Sequence, residues 1–228
     1  MNIKFLGHSS LLIEGNGIKA LVDPFLKNNP QYIEDKNDIE NITHIFITHA
    51  HGDHIGDAIE IAKANDSMII ANAEICNILY FLHNDLNYHP MHIGGTFNFD
   101  FGRVKMTPAL HGSGYTDKDN KIQDGGNPAG FVIEVDTKKV YHAGDTGLTY
   151  DMKLLERERI DVAFLPIGGN YTMDIDDAVE AARFIGAKIT VPMHYNTFGM
   201  IKANPIEFHD KLLGHKVIIL KPSEAIEI

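Results

Sequence analysis

The segment Thr-His-Ala-His-Gly-Asp-His, residues 48–54, places four side chains that can bind a metal within six residues. It follows the apolar run His44–Thr48, which predicts a buried strand. Apolar residues then recur at i, i+3, i+4 and i+7 from Ile55, a spacing typical of an amphipathic helix. On an extended strand end the first two histidines project from the same side, and the glycine allows a turn before Asp53-His54. The stretch can therefore present two pairs of ligands to two neighbouring ions.

Three further candidates share one sequence context, because each lies at the end of an apolar strand and precedes a glycine or a polar loop. They are His111 in MTPALHGSG, Asp145 in YHAGDTG and His194 in ITVPMHYN. Strand ends at one edge of a sheet are common places to build a site on a rigid scaffold. Histidine is the commonest metal ligand in proteins. These three residues are therefore candidates for the same centre.

Length and composition narrow the class of protein. The chain has 228 residues, 44% of them hydrophobic, which predicts one domain over residues 1–228 with a sizeable core. Its 20 basic and 31 acidic residues give a net charge of −11, which argues against a broad electrostatic grip on nucleic acid. The single Cys76 excludes an intramolecular disulfide framework. No apolar run approaches the ~20 residues that span a bilayer. We expect a cytoplasmic protein that acts on a small molecule, without a membrane or nucleic-acid partner.

Strand and helix patterns alternate along the chain. The predicted strands are Ile3–Leu6, Ser10–Glu14, Ile18–Val22, His44–Thr48, Ser67–Ala71, Phe97–Phe101, Val104–Pro108, Gly130–Val135, Lys139–His142, Val162–Ile167, Ile189–Met193 and a closing Val217–Leu220. Helices are predicted from Ile55 and over Glu74–Leu82, Met152–Arg159, Ala178–Ile185 and Pro205–Leu213. The order suggests two packed sheets with helices outside. The irregular segment Gly112–Pro128 is predicted to be a long loop, and loops of that length are usually functional or mobile.

The ordered set of ligand candidates resembles the metal-binding residues of the metallo-β-lactamase superfamily, and the resemblance spans essentially the whole chain. Four segments, LGHSS at 6–10, HAHGDH, YHAGDTGL and PIGGNYTM, are similar to a bacterial family known only as metal-dependent hydrolases. That family is similar to ascorbate-phosphate lactonase and, more distantly, to a zinc phospholipase D acting on N-acyl ethanolamine lipids.

The resemblance implies a four-layer αββα sandwich with the site at one edge. It implies two divalent ions per chain, one held by His49, His51 and His111, the other by Asp53, His54 and His194, with Asp145 bridging them. Zinc is the first expectation, and manganese or iron also suits imidazole and carboxylate ligands. Related lactonases form oligomers, so a homo-oligomer is possible by analogy.

The predicted function is hydrolysis in which a metal-bound hydroxide attacks the carbonyl of a small ester or lactone. Asp145 positions the metals, and Asp53, besides its ligand role, is a candidate proton acceptor. Two alternatives stay open at this point: a metal-dependent phosphodiesterase, and a metal-binding module without catalysis.

Residues around the motifs have both functional and structural interpretations. His8 is a candidate for the second metal site or the substrate pocket, with a structural histidine as the alternative. Asp23 resembles the superfamily's buried acid that orients the histidine motif. Asn170 could bring its amide to a substrate oxyanion or simply close a tight turn. Tyr195 could line the pocket or pack in the core. His142 is assigned to packing or to support of a ligand.

Overall fold

The computed structural model describes residues 1–228 and contains two main β-sheets. The strands of the first sheet are β1 (Asn2–Gly7), β2 (Ser10–Gly15), β3 (Ile18–Val22), β4 (His44–Phe46), β5 (Met68–Asn72), β6 (Asn87–Met91) and the last strand of the chain, β15 (Ala225–Glu227). They lie in the order β15-β1-β2-β3-β4-β5-β6. Pairing is antiparallel from β15 to β3 and parallel from β3 to β6.

The second sheet has six strands, which are β7 (Thr96–Phe99), β8 (Gly102–Pro108), β11 (Ala129–Val135), β12 (Lys138–His142), β13 (Val162–Pro166) and β14 (Ile189–Met193). Their order is β14-β13-β12-β11-β8-β7, with parallel pairing only from β12 to β14. A separate hairpin consists of β9 (Gly114–Thr116) and β10 (Ile122–Asp124). All five residues of β13 are buried, as expected for a strand covered on both faces.

Helices cover the outer faces of both sheets. They are α1 (Gly52–Ile55), α2 (Ala58–Asn65), α3 (Ala73–Leu82), α4 (Ile175–Ile185) and α5 (Pro205–Lys211), with 3₁₀ helices at Lys36–Asp38 and Tyr150–Glu158. The larger apolar core joins side chains of both sheets with α4, and a smaller one joins the first sheet with α1, α2 and α3. This layering confirms the predicted αββα sandwich. None of the helices is long and apolar enough to cross a membrane.

Local sequence explains where α4 begins and ends. The Asp174 carboxylate accepts a hydrogen bond from the backbone N–H of Asp177 at 3.0 Å, which satisfies a free donor of the first turn. One apolar face, including Ala178, Ala182 and Ile185, is buried. Gly186 then ends the helix in the left-handed conformation that glycine adopts without a steric penalty.

Three sequence predictions are wrong in detail. The helix expected from Ile55 is divided in two, because the backbone at Gly56 turns to a φ of +46° between α1 and α2. The strand expected at Val217–Leu220 is only an isolated bridge between Val217 and Thr190, and the closing strand is β15 instead. The segment expected to be a long loop contains the β9–β10 hairpin.

Gly56 is required by a close backbone approach, and substitution there should destabilise the fold strongly. A Cβ at this position would lie 2.3 Å from the carbonyl oxygen of Pro24 and 2.7 Å from Cα of Phe25. We expect Gly56→Ala to lower the free energy of unfolding by more than the roughly 1–3 kcal/mol of backbone strain alone. Gly186→Ala is the matched control, since its φ is also positive but nothing lies within 4 Å of its Cβ. Urea unfolding compares the two, and equal losses would contradict the clash.

Candidate metal centre

The candidate ligands meet where strands end. His49, His51, Asp53 and His54 follow β4 and enter α1, while His111, Asp145 and His194 come after the carboxyl ends of β8, β12 and β14. Since β12, β13 and β14 run parallel, their carboxyl ends lie at one edge of the second sheet. The fold therefore brings together residues that are up to 145 positions apart, from 49 to 194.

One group of imidazoles consists of His49, His51 and His111, whose candidate ligand atoms all lie within 4.8 Å of one another. Nε2 of His49 is 3.0 Å from Nδ1 of His51, so two ring nitrogens already converge on one point. Burial lowers the pKa of all three imidazoles below its ordinary value. They are therefore neutral at pH 7, which is the form that binds metal.

A second group consists of His8, Asp53, His54 and His194, again with candidate ligand atoms within 4.8 Å. Asp145 lies between the groups. Its Oδ1 is 3.4 Å from Nε2 of His54, and its Oδ2 is 3.0 Å from Nε2 of His194 and 3.6 Å from Nε2 of His111. All seven residues predicted as metal ligands are thus brought together, and Asp145 has the position that a bridging carboxylate needs.

Four buried polar atoms in this cluster have no hydrogen bond: Nε2 of His54, Oδ1 of Asp145, and both ring nitrogens of His194. Although Nε2 of His194 is close to Asp145, the angles are not those of a hydrogen bond. Buried polar atoms are almost always paired, so such a concentration at one point needs an explanation. Imidazole and carboxylate donors without partners suit a divalent ion. The residues present therefore fit the metal that the sequence resemblance implies.

Burial and neighbouring charges shift the pKa values of the cluster in opposite directions. Burial alone would raise the pKa of Asp145, but His194 and His54 outweigh it and hold that pKa well below the ordinary range of a carboxyl. Burial would likewise lower the pKa of His54, but Asp145 and Asp23 outweigh it and raise that pKa well above its ordinary value. Asp145 is consequently ionised, and it carries a negative charge among the candidate ligands.

Asp23 orients ligands of both groups. Its Oδ1 accepts a hydrogen bond from the backbone N–H of Thr48 at 2.8 Å, and its Oδ2 accepts from the Thr48 hydroxyl at 2.7 Å. The same Oδ2 is 2.7 Å from Nδ1 of His54, and the Thr48 hydroxyl is 3.0 Å from Nδ1 of His49. With a metal bound, a proton on each of these Nδ1 atoms would leave Nε2 of both histidines available as a ligand. These contacts agree with the interpretation of Asp23 as a buried acid that orients the histidine motif.

The backbone at the site is held in an unusual conformation. His8, Asp23 and His194 have φ values of +56°, +47° and +54°, in the left-handed region that non-glycine residues rarely adopt. The backbone N–H of His194 donates to the carbonyl oxygen of His8 at 2.8 Å, which ties the first turn of the chain to the last ligand. Strain of this kind persists only where the surrounding structure fixes it.

His8 is fully buried and contacts a candidate ligand. Its Nδ1 is 2.9 Å from the hydroxyl of Thr197, and its Nε2 is 3.2 Å from Oδ2 of Asp53. Burial lowers the pKa of His8 to about 4, so the pair is a hydrogen bond from a neutral ring and not an ion pair. Thr197 was not singled out from the sequence, since a threonine three residues after His194 carries no recognisable signal.

We expect His8→Ala to weaken metal binding by roughly tenfold or more, as removal of a ligand's supporting hydrogen bond usually does. The KM should stay unchanged, because a buried ring is in no position to touch a substrate. Chelator competition and steady-state kinetics measure the two quantities. Thr197→Val, which removes only the outer hydrogen bond, should give a smaller loss. A raised KM with intact metal affinity would instead favour the substrate-binding role predicted for His8.

The other predicted site residues are not members of either group. Asn170 is exposed in a turn with a φ of +51°, and Tyr195 is half-buried against the larger core, with its carbonyl oxygen accepting from Gln31. Their contact with substrate stays a prediction. Nε2 of His142 is 2.8 Å from the carbonyl oxygen of Ser9, and Nδ1 accepts from Gly144, so this histidine is satisfied inside the core.

Comparison with known proteins agrees with this geometry. The sequence profile of the β-lactamase superfamily domain matches residues 18–195. The chain belongs to this superfamily. A UPF0173 metal-dependent hydrolase of Alkaliphilus metalliredigens is 52% identical over 227 residues, with 98% of both chains covered.

Solved structures place the chain among enzymes of the same fold. Igni18, a metallo hydrolase from Ignicoccus hospitalis, superposes with a TM-score of 0.88 at 35% identity, covering 100% of this chain and 98% of the other. YhfI of Bacillus subtilis, a metallo-β-lactamase fold protein, gives 0.74 at 13% identity over 99% of both chains and supports the fold alone. The protein is thus a metal-dependent hydrolase with a metallo-β-lactamase fold. This removes the alternative of a metal-binding module without catalysis.

Proposed function

We propose that the protein hydrolyses a small ester or lactone with two divalent ions, zinc first and manganese or iron as alternatives. The observation that carries the proposal is the position of Asp145 between two groups of ligand side chains, at 3.0–3.6 Å from histidines of both. A single ion in the first group would leave the unpaired buried nitrogens of His54 and His194 unexplained, and a single ion in the second group would leave the convergence of three imidazoles in the first unexplained.

In this proposal one ion is held by His49, His51 and His111 and the other by Asp53, His54 and His194, with Asp145 shared. Paired divalent ions of this kind supply an activated water at neutral pH and polarise the scissile carbonyl. The protein's part is to hold the ligands in place. Asp23 does so for His54 directly and for His49 through Thr48.

Asp53 is our candidate for moving a proton. Its Oδ2 is held by His8, whereas its Oδ1 has no hydrogen-bond partner and the side chain is 31% exposed. The pKa of Asp53 lies below its ordinary range, since the hydrogen bond from His8 and the charge of His54 outweigh the effect of burial. The carboxylate is therefore ionised, and its Oδ1 is free of hydrogen bonds on a partly exposed side chain. From there it can accept a proton from the attacking water and deliver it to the leaving group.

The surroundings of the cluster favour a neutral carbonyl substrate. Leu110, next to His111, is 64% exposed, and the ring of Phe198, 41% exposed, lies 5.4 Å from the ring of His8. No lysine or arginine forms an ion pair with any of the candidate ligands. Apart from the ions themselves, a phosphodiester would find no lysine or arginine paired with these ligands. An ester or lactone with an apolar portion suits this rim better.

The test compares turnover of an aliphatic lactone with that of an activated phosphodiester by the metal-loaded enzyme. Asp145→Asn serves as the blank for both substrates. We expect the lactone to be turned over well above the blank and the phosphodiester at or near it. Phosphodiester turnover with an inert lactone would contradict the substrate class and favour the phosphodiesterase alternative.

Other expectations remain part of this proposal. Asn170 and Tyr195 are proposed to line the substrate pocket. The cytoplasm is proposed as its compartment, and the net charge of −11 argues against binding to nucleic acid. A homo-oligomer is proposed only by analogy with related lactonases, and gel filtration with light scattering would decide it.

A further inference from the structure

A cleft lies at the opposite end of the second sheet from the metal cluster. Its lining includes Lys138 and Lys139 at the start of β12, and Asp161 and Lys188 directly before β13 and β14. The ligand candidates follow the other ends of these strands. From Lys188 to His194 the extended chain spans about 20 Å. The cleft is therefore separate from the metal centre.

The lining of this cleft is highly polar and mostly basic, although the chain as a whole carries a charge of −11. An open cleft of about 610 Å³ is lined by five cationic residues, three acidic residues and one threonine, and by no apolar residue. Of the four arginines in the chain, Arg157 and Arg159 line the cleft and Arg103 lies behind it, bound to Glu158. Arginine's planar fork matches phosphate and carboxylate oxygens better than lysine does.

The acidic residues of the cleft are already paired. Buried Glu158 lies 2.7 Å from Nζ of Lys105, 3.3 Å from Nη1 of Arg103 and 3.7 Å from Nζ of Lys139, which also lies 3.7 Å from Glu134.

Asp161 accepts from Nζ of Lys188 at 2.8 Å and from the backbone N–H of Lys139. Lys138, Arg157 and Arg159 form no ion pair with an acidic side chain. Three cations around the cleft are therefore free to bind an anion.

An apolar cavity of about 180 Å³ adjoins the cleft, between the outer face of the second sheet and the 3₁₀ helix Tyr150–Glu158. Met106, Leu154 and Leu155 are among its lining residues, and Arg157 lines both spaces. The hydroxyl of Thr107, which also lines the apolar cavity, is buried without a hydrogen bond of acceptable geometry. The Tyr141 hydroxyl also lines this cavity and lies next to that of Thr107, so a polar atom of a ligand could hydrogen-bond with the pair.

We propose that these two spaces form one binding site for a phosphorylated small molecule that carries a ring, the chemistry of a nucleotide. The phosphate lies among Lys138, Arg157 and Arg159, and the ring enters the cavity beneath the 3₁₀ helix, within reach of Thr107. Charge-assisted hydrogen bonds from arginine to phosphate supply most of the affinity. The phosphate end of the site lies away from the metal cluster, so the proposal does not depend on the proposed substrate.

Isothermal titration of the metal-loaded enzyme with ADP, with inorganic pyrophosphate and with adenosine tests the proposal. We expect ADP to bind more tightly than either fragment. Arg157→Ala should weaken ADP binding by about tenfold, the loss of one charge-assisted hydrogen bond. Arg183→Ala is the matched control, since Arg183 lines neither space and pairs with Glu180 on α4. It should leave ADP binding unchanged.

A further variant separates this site from the metal centre, where phosphates could also bind. ADP binding that persists in Asp145→Ala and is weakened in Arg157→Ala supports the proposal. Binding that is lost in Asp145→Ala and unchanged in Arg157→Ala would place ADP at the metal centre and overturn it. ADP binding no tighter than that of pyrophosphate would overturn it as well.

Discussion

Replacing Asp145 with asparagine is expected to abolish hydrolysis and to release metal. The amide keeps the shape of the carboxylate but removes the negative charge that lies between the two histidine groups, within 3.6 Å of three imidazoles. Loss of several kcal/mol of metal-assisted stabilisation corresponds to a fall in kcat/KM of roughly a thousandfold or more. Steady-state kinetics and elemental analysis of the purified variant check the two expectations.

Asp161→Asn is the matched control for this substitution. Asp161 is also a buried aspartate at a strand end, but it pairs with Lys188 at the far end of the second sheet. We expect its replacement to cost some stability and to leave metal content and kcat unchanged. An Asp145→Asn enzyme with full metal content and normal turnover would show that Asp145 is not a ligand.

Asp23→Asn is expected to have the second-largest effect, although Asp23 touches no candidate metal position. Its carboxylate accepts from Thr48 and from His54, and through the Thr48 hydroxyl it fixes His49. An asparagine amide cannot accept all of these hydrogen bonds, so candidate ligands in both groups lose their orientation. Losses of this kind typically reduce metal affinity by about 10- to 100-fold. Asparagine also tolerates the positive φ of +47° at this position, so the backbone should be preserved.

The control for Asp23 is Asp38→Asn, which alters another buried carboxylate, one that pairs with Lys4 at 2.5 Å. It should lower the free energy of unfolding without changing metal affinity. Chelator competition on both variants, read alongside urea unfolding, separates orientation of the ligands from general stability. Equal metal affinity in the two variants would remove the orienting role from Asp23.

Much of the fold could be predicted because long apolar runs are compatible with few secondary-structure assignments. The strand Ile189–Met193 has the predicted boundaries, and α4 is marked by its acidic start and its closing glycine. The predictions were wrong where tertiary contacts determine the secondary structure. Nothing in the local pattern around Gly56 shows that Pro24 packs against it and divides the helix. Similarly, β6 (Asn87–Met91) contains a proline and few apolar residues, and it forms as an edge strand by pairing with β5.

The candidate ligands could be predicted because their residue types and spacing are unusual in any other context. The supporting contacts could not. Thr197 is an ordinary residue in sequence, and its contact with His8 spans 189 positions. The basic cleft likewise draws on residues from 134 to 188, which only the parallel start of β12, β13 and β14 brings together. Sequence patterns therefore identify side chains that could carry the chemistry, while the fold supplies the contacts that hold them.

The number of metal ions per chain tests the central claim most directly. Elemental analysis of protein purified without chelator, combined with anomalous diffraction from its crystals, measures both the count and the positions. The account predicts two divalent ions on either side of Asp145, one near His49, His51 and His111 and the other near Asp53, His54 and His194. A single ion at full occupancy in an active enzyme, with the second group of ligands empty, would contradict it.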